Sequence, residues 1–400
     1  MLVVFNQFPK RSETFLFREF VGWRRRGLDV RALSLLSPEP DLPQEMQAWR
    51  LETLYLARLL RTPGVVARSL RAVGMPSPAG LVRAGAEVWR ARSWLVTACG
   101  LAAGPVVTAV ARDLGAGRLH AAWANAPAEA VRFASRALGV PYTVSVHAAD
   151  LWRDTHPQAS RLAGADWVLP CNAAAAAELL SGNPALEARL RLAPHAVDPV
   201  SFPWAPRRPG PPWRLLGVGR LVPKKGFELL IDTCAVLRDA GLDFSCGIVG
   251  EGPLRESLTR RIRGRGLEGR VRLTGALDHA EVAGRMAEAH ALLMTSRVAA
   301  DGDRDGLPNA LLEGLLTGLP VVATRAGSIE EVLSDGVTGR LAEAEAGAVA
   351  AAVRALLADY GQGVEMGRAG RDRVLGRSSE PDQGEVLARI FATTGNRPAG

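Results

Sequence analysis

The residues best suited to chemistry lie in two loops of the second half of the chain. In the first loop, Gly217-Val218-Gly219-Arg220 is followed by Lys224-Lys225-Gly226. The glycines let backbone approach a ligand, and the cations of Arg220 and Lys225 suit a diphosphate. A single Gly-x-Gly is a weak signal, and Val222 stands where the dinucleotide-binding pattern has its third glycine. A solvated basic turn is therefore the alternative interpretation.

The second loop and its helix, residues 301–318, begin with acidic residues and glycines. They continue through Pro308 into a short apolar helix that carries Glu313 and stops at Gly318. The start of such a helix presents unpaired N–H groups, which favour an anion. Loop, helix start and carboxylate together predict a site for a phosphorylated, hydroxyl-rich ligand, with an ordinary strand-to-helix connection as the alternative. Asp301-Gly302-Asp303 lacks the spacing of a calcium-binding loop, so no metal is expected there.

Polar groups also follow strands elsewhere. Gly250-Glu251-Gly252-Pro253 ends a strand in the second half, where it either lines a nucleotide site or only forms a tight turn. In the first half His147 follows a strand directly and Asp150 comes three residues later, so catalytic and structural roles are equally open. His120 is expected to pack in a core, whereas His195 lies in a loop that could face a ligand.

The four cysteines are scattered through apolar runs, with no Cys-x-x-Cys or Cys/His grouping in the sequence. We therefore expect buried thiols in a reducing compartment and no metal site. Ser93 to Ala111 contains no charged residue and has about the length of a membrane span. Its glycines, its proline and its small side chains favour buried or interfacial helices instead.

Strands alternate with helices on both sides of a proline-rich join at residues 199–212, which predicts two α/β domains with parallel sheets. The first domain is expected to span 1–205, with a strand at Arg189–Leu192. It includes a helical insert at about 42–114, which either covers the sheet or lies at a membrane interface. The second domain would span 206–383, and a last helix in 384–400 would pack back on the first. Loops at the carboxyl ends of the strands should face a cleft between the domains.

Positive charge is concentrated in the first half of the chain. Residues 1–205 carry 23 Lys+Arg against 16 Asp+Glu, whereas residues 206–400 carry 26 against 25. An excess of this kind is expected where a domain meets an anionic surface or acceptor.

The ordered motifs resemble the retaining glycosyltransferases of family 4, which have the GT-B fold of two facing Rossmann-like domains. The likeness covers most of the chain and is strongest in the second half. There it rests on Gly219–Phe227, Gly250–Pro253, Asp305–Glu313, Gly318–Ala323 and Asp335–Gly339, which follow the family's order. In the first half, Phe8–Phe15 resembles the start of bacterial exopolysaccharide and colanic-acid-type transferases, and Tyr142–Asp150 resembles the family's strand that ends in His-x-x-Asp.

The resemblance implies a role for each matched position. Arg220 and Lys225 would hold the donor diphosphate and stabilise the leaving nucleotide, and Glu313 would accept hydrogen bonds from the ribose. In the catalytic set, position 305 would contact the donor sugar, and His147 would place its backbone carbonyl near the anomeric carbon, with Asp150 beside it. The other donor-binding positions would be Gly219, Gly250, Glu251 and Gly306, and the amides of Leu307, Asn309 and Ala310.

Two positions depart from the family pattern. Asp305 stands where the family usually has glutamate, so its carboxylate is one methylene shorter. The loop from Asn6 to Arg11 has no glycine, unlike the glycine-rich loop of many family members, so it does not locate the acceptor site.

The implied reaction is a retaining transfer by same-face attack, in which the leaving phosphate takes the acceptor's proton. It needs no protein nucleophile, no cofactor and no metal. The donor would be a UDP- or GDP-sugar, and the acceptor a glycan or lipid-linked glycan in cell-envelope or exopolysaccharide assembly. The chain would be cytoplasmic, with its basic first domain touching the anionic inner face of the cytoplasmic membrane.

Two other functions are kept as alternatives. One is a GT-B-type nucleotide-sugar epimerase, which would need a set of catalytic carboxylates and no acceptor surface. The other is a basic, non-enzymatic binding protein. The near-neutral second half argues against nucleic acid as a partner.

Overall fold

The computed structural model describes residues 1–73, 94–153, 159–195, 198–377 and 383–393. It contains two compact units, one formed by Met1–Ala196 with Pro381–Gly400 and the other by Val197–Glu380. Each unit is built on one six-stranded sheet. Residues 74–93 of the predicted insert and residues 394–400 of the last predicted helix lie outside the described residues.

The sheet of the first unit has the strand order β3-β2-β1-β4-β5-β6, and all neighbouring strands are parallel. Its strands are β1 Leu2–Gln7, β2 Arg31–Leu36, β3 Leu54–Tyr55, β4 Leu119–Ala121, β5 Tyr142–Val146 and β6 Trp167–Pro170. In β1, Leu2 and Val4 belong to one apolar cluster and Val3 and Phe5 to another. Because alternate side chains point to opposite faces, the short hydrophobic run packs on both sides, as parallel sheets require.

The helices of the first unit cover both faces of that sheet. They are Thr14–Arg25, Gln44–Glu52, Leu56–Leu60, Pro63–Val73, Trp94–Asp113, Ala126–Leu138, Ala159–Leu162, Ala173–Gly182 and Gln383–Thr393, with single turns at Arg11–Glu13, Ala149–Arg153 and Pro184–Arg189. The last helix buries Leu387 in the same cluster as Leu16 and Phe20 of the first helix. This contact explains why the end of the chain belongs to the first unit.

Residues 94–111 of the uncharged segment lie in the helix Trp94–Asp113, and Ser93 lies outside the described residues. A Cβ added at Gly100 would lie 2.5 Å from Cβ of Glu129, and one at Gly104 would lie 2.6 Å from the Phe133 ring. The small residues therefore allow this helix to approach Ala126–Leu138 closely. Within the described residues, no helix combines the length and the apolar character that crossing a membrane requires.

The sheet of the second unit has the order β12-β11-β10-β7-β8-β9, again with parallel neighbours. Its strands are β7 Trp213–Val218, β8 Phe244–Val249, β9 Val271–Gly275, β10 Ala291–Met294, β11 Val321–Thr324 and β12 Arg340–Ala342. Its helices are Phe227–Asp239, Arg255–Gly264, His279–Glu288, Asn309–Leu316, Ala346–Ala358 and Tyr360–Arg377, with single turns at Pro223–Lys225 and Ile329–Glu331. Leu215 and Leu216 of β7 pack in separate clusters, so this sheet too is covered on both faces.

Two sequence predictions are wrong. Arg189–Leu192 is not a strand: the segment Pro184–Arg189 forms a 3-10 turn, and only Leu190 makes a bridge to Val168 of β6. The turn continues to Arg189, because the Leu190 N–H donates to the Glu187 carbonyl, and extended backbone begins only at Leu190. Cys99 is exposed rather than buried, whereas Cys171, Cys234 and Cys246 are buried.

Candidate functional site

The loop after β7 carries the two lysines of the predicted diphosphate segment. Pro223–Lys225 forms a 3-10 turn, and Gly226 follows in the left-handed conformation with φ of 61°. A Cβ at Gly226 would overlap the carbonyl oxygen of Thr295, which follows β10. Only glycine lets the two loops approach this closely, so the lysines are fixed against the end of β10.

Both lysines are paired with the acidic loop that the sequence places about 80 residues away. Lys225 Nζ lies 2.8 Å from Asp305 Oδ2, and Lys224 Nζ lies 2.9 Å from Asp303 Oδ1 and 3.7 Å from Asp305 Oδ1. The Ser296 hydroxyl donates to Asp305 Oδ2 at 2.9 Å. The predicted phosphate loop and the predicted sugar loop are therefore joined by a small charged network.

The charged side chains of this network are largely buried, and burial affects the pKa of Asp305. The side chains of Lys225 and Asp305 are 13% and 8% exposed, and that of Lys224 is 7% exposed. Burial alone would raise the pKa of Asp305. The ammonium groups of Lys225 and Lys224, together with the hydrogen bond from Ser296, outweigh burial and lower that pKa below its ordinary value. Asp305 is thus held as a carboxylate.

The backbone around Asp305 is fixed from a second side. Gly327 has φ of 64°, and a Cβ there would overlap the carbonyl oxygen of Asp305. The Ser328 N–H donates to the Gly306 carbonyl at 3.2 Å. Asp305 is therefore held by its side chain towards the lysines and by its main chain towards residues 327–328.

The helix Asn309–Leu316 begins directly after this loop, with Pro308 as its N-cap residue at φ −68° and ψ 129°. The first N–H groups of a helix have no acceptor within the helix. The N–H groups of Asn309 and Ala310, with that of Leu307 just before them, therefore form an end of the helix that favours an anion. Leu311 and Leu315 are fully buried and fix the helix on the sheet. The helix thus begins four residues after Asp305, the carboxylate that pairs with Lys225.

Glu313 lies on this helix and is 9% exposed. Its Oε1 is 3.3 Å from Nε2 of His279, the first residue of the helix His279–Glu288. A capping box formed by Asp278 and Glu281 starts that helix and so sets the position of His279. Sequence reasoning missed His279; the Asp-x-x-Glu spacing around it was the available signal.

The remaining predicted donor residues differ in their surroundings. Arg220 is exposed. Glu251 forms an ion pair with Arg255 at 2.6 Å, with both side chains about half exposed, at 49% and 44%. A Cβ at Gly250 would overlap the carbonyl oxygen of Gly219, so these two glycines bring the loops after β7 and β8 together.

In the first unit, His147 follows β5 and is 4% exposed. Its Nε2 lies 3.0 Å from the Ala122 carbonyl oxygen, and its backbone N–H donates to Asp150 Oδ2 at 3.0 Å. The Asp150 N–H donates in turn to the His147 carbonyl at 3.0 Å. Asp150 is fully buried and is hydrogen-bonded to both the N–H and the carbonyl of His147.

His195, from the loop after Ala193, stacks on His147 with ring centroids 5.2 Å apart. Its Nδ1 is 2.6 Å from Glu19 Oε1. Burial lowers the pKa of His147 well below its ordinary value and lowers that of His195 to about 3. The ligand atoms of Cys171 and of these two histidines all lie within 4.8 Å of one another. The sequence, which shows no Cys/His grouping, did not predict this cluster.

Residues 212–359 match the family model described as Glycosyl transferases group 1. The amylovoran biosynthesis glycosyltransferase AmsK of Erwinia amylovora is 40% identical over 141 residues, which is 35% of each chain. A GDP-mannose-dependent alpha-(1-6)-phosphatidylinositol monomannoside mannosyltransferase of Mycolicibacterium smegmatis is 34% identical over 177 residues, 44% of this chain and 46% of that one. The chain thus spans between a third and a half of the length of these curated relatives.

Solved structures extend the likeness over the whole fold. Anabaena Alr3699/HepE in complex with UDP and glucose has a TM-score of 0.69 at 16% identity, covering 98% of this chain and 99% of that one. Sucrose-phosphate synthase from Thermosynechococcus elongatus has a TM-score of 0.71, also at 16% identity and with the same coverage. The prediction of the two-domain α/β GT-B fold with parallel sheets is confirmed.

Proposed function

We propose that this chain is a retaining glycosyltransferase that moves a sugar from a nucleotide-sugar donor to a glycan or lipid-linked acceptor in exopolysaccharide or cell-envelope assembly. The match of residues 212–359 to the group 1 family and the likeness to AmsK support the class of reaction and the process. The observation that carries the proposal is the cluster of Lys225, Asp305 and the start of the helix Asn309–Leu316 in one unit. Cations and helix amides at one edge of a parallel sheet suit a diphosphate.

The proposed donor contacts follow from the chemistry of the side chains. Lys225 has three ammonium hydrogens and gives one to Asp305, so it can offer the others to the diphosphate. Arg220 is exposed and can bind phosphate oxygens in a bidentate manner. Both cations would stabilise the charge that develops on the leaving nucleotide. Glu313 would accept hydrogen bonds from the ribose, with His279 orienting its carboxylate.

We assign Asp305 and Asp150 to positioning. Asp305 holds Lys225 at 2.8 Å, and Asp150 holds the backbone of His147. The His147 carbonyl accepts from Asp150, and a carbonyl oxygen has a second lone pair that can still face a donor sugar. Retention would follow from same-face attack, with the leaving phosphate accepting the proton of the acceptor hydroxyl.

Titration calorimetry with UDP and GDP tests the donor site. We expect Lys225→Met and Glu313→Gln each to weaken binding of the preferred nucleotide by about 10-fold or more, since a hydrogen bond to a charged group contributes about 1.5–3 kcal/mol. Arg260→Ala is the control, because the Arg260 side chain is 71% exposed and its described ion pair is with Glu256, one turn away on the same helix. Unchanged affinity in both site variants would refute the assignment.

A screen for hydrolysis of nucleotide-sugars by the full chain then identifies the sugar without an acceptor. The anomer first released distinguishes retention from inversion. Formation of an epimeric sugar in place of a transfer product would instead favour the epimerase alternative.

A further inference from the structure

The geometry points to a Zn²⁺ site formed by His147, Cys171 and His195 at the carboxyl edge of the first sheet. His147 follows β5, Cys171 follows β6, and His195 lies in the next loop along the chain. Their ligand atoms lie within 4.8 Å of one another. The proposed function uses the backbone carbonyl of His147, whereas this inference concerns the side chains of the three residues and does not rest on that function.

In each histidine, one ring nitrogen has a described hydrogen-bond partner, and the other nitrogen is the one that we assign to the metal ion. Nε2 of His147 is hydrogen-bonded to the Ala122 carbonyl, and Nδ1 of His147 is buried without a hydrogen-bond partner among the described residues. Nδ1 of His195 lies on Glu19, which leaves Nε2. A buried nitrogen without a partner is costly, and a metal ion would satisfy it.

Each candidate ligand also has the supporting partner that metal ligands commonly have. Metal-binding histidines usually donate their other N–H to a backbone carbonyl or a carboxylate, which are the partners that His147 and His195 have here. The Asn172 amide donates to Cys171 Sγ at 3.6 Å, and its oxygen accepts from the Ala175 N–H at 2.8 Å. That second bond fixes the amide with its NH₂ towards the sulfur, where it would stabilise a thiolate.

The distances allow a tetrahedral ion after a small movement. With metal–nitrogen bonds of about 2.0–2.1 Å and a metal–sulfur bond of about 2.3 Å, donor atoms in a tetrahedron are about 3.3–3.6 Å apart. The separations here are at most 4.8 Å, so the side chains need to close by about 1.5 Å or less. Two imidazoles and a thiolate match a borderline-soft ion such as Zn²⁺.

Binding would have two chemical consequences. Cys171 would lose its thiol proton to solvent as the Zn–S bond forms, so affinity should fall as the pH is lowered. Three protein ligands leave a fourth position for water or an oxygen of another ligand. The ion would tie the ends of β5 and β6 to the loop that carries His195.

The test is metal analysis of the untagged full chain, stripped with chelator, incubated with one equivalent of ZnCl₂ and desalted. We expect about one zinc per chain in the wild type and less than about a tenth of that in Cys171→Ser and His195→Gln. Cys99→Ser is the matched control, because Cys99 is exposed and far from the cluster in sequence, and should retain the full amount. Addition of Co²⁺ in place of zinc should produce a thiolate-to-cobalt charge-transfer band that only the two site variants lose.

A milder variant separates loss of metal from loss of fold. Glu19→Gln keeps the shape of the residue that orients His195, and we expect it to weaken zinc affinity about 10- to 100-fold while the circular dichroism spectrum is unchanged. The inference is overturned if the wild type retains no zinc, or if Cys171→Ser and His195→Gln retain as much as the wild type. Neither outcome depends on whether the second unit binds a nucleotide.

Discussion

The pairing of Lys225 with Asp305 can be measured by a double-mutant cycle. Lys225→Met and Asp305→Asn remove the charges while keeping approximate shape, and the double variant removes both together. In the wild type the charged atoms are 2.8 Å apart, and the side chains are 13% and 8% exposed. Little water is therefore available to solvate a charge that has lost its partner.

The expected magnitude follows from that burial. Removing one partner of a buried ion pair typically costs about 3–5 kcal/mol, because the other charge stays buried and unpaired. Lys224 lies 3.7 Å from Asp305 as a second cation and also pairs with Asp303. These additional ion pairs reduce the loss of stability that a single substitution causes. We therefore expect each single variant to lose about 2–3 kcal/mol of unfolding free energy, with a coupling energy of about 2 kcal/mol in the cycle.

A matched control is the pair Glu251–Arg255, which is equally short at 2.6 Å but 49% and 44% exposed. Exposed pairs are screened by solvent, so the same cycle on Glu251 and Arg255 should give less than about 0.5 kcal/mol. The measurement is the free energy of opening of β7 and β10, taken from hydrogen exchange at increasing urea, which reports on the second unit alone. A coupling for Lys225 and Asp305 that does not exceed the control would refute the argument.

Two further predictions concern buried positions. Burial lowers the pKa of His120 to about 3, so the unfolded chain takes up a proton that the folded chain excludes. The contribution of His120 to stability should be full above about pH 6.5 and fall by up to about 1.4 kcal/mol per pH unit below it. His120→Asn should flatten this slope in urea titrations at about pH 7.5 and about pH 5, and equal slopes would contradict it. Gly226→Ala should destabilise the second unit by more than about 3 kcal/mol, because its Cβ meets the Thr295 carbonyl. Gly241 has φ of 76° and open space around it, so Gly241→Ala measures the cost of backbone strain alone, about 1 kcal/mol. Equal losses of unfolding free energy in Gly226→Ala and Gly241→Ala would contradict the predicted clash with Thr295.

Much of the fold could be predicted because strands and helices alternate with clear turn signals. The two short strands β3 and β12 were missed, since two or three residues carry no measurable period. The segment Arg189–Leu192 was predicted as a strand because its apolar and charged residues alternate. In the structure, two backbone hydrogen bonds join this region to β6: the Arg191 N–H donates to the Val168 carbonyl, and the Ala193 N–H donates to the Pro170 carbonyl. They do not extend into a regular ladder.

The sequence allowed the positions of the candidate site to be proposed, but not the contacts between them. Lys225, Asp305 and Glu313 were identified from loop chemistry and family resemblance. The contact between Lys225 and Asp305 joins residues 80 positions apart, and the contact between His279 and Glu313 joins residues 34 positions apart. Both depend on how distant elements pack together. Such partners are fixed by tertiary packing, which a single sequence does not display.

The short side chain at position 305 is explained by the backbone that carries it. Gly327 and Ser328 hold the main chain at Asp305 and Gly306, so the carboxylate can only reach outward by its own length. At that length it meets Lys225 and the Ser296 hydroxyl, both at hydrogen-bond distance. A glutamate would extend about 1.5 Å further, about one C–C bond, past an ammonium group that is already in contact. Because an ammonium has three hydrogens, Asp305 can orient Lys225 without using up its capacity for phosphate. The aspartate thus sets where the lysine charge lies, which is the charge that the proposed donor diphosphate would meet.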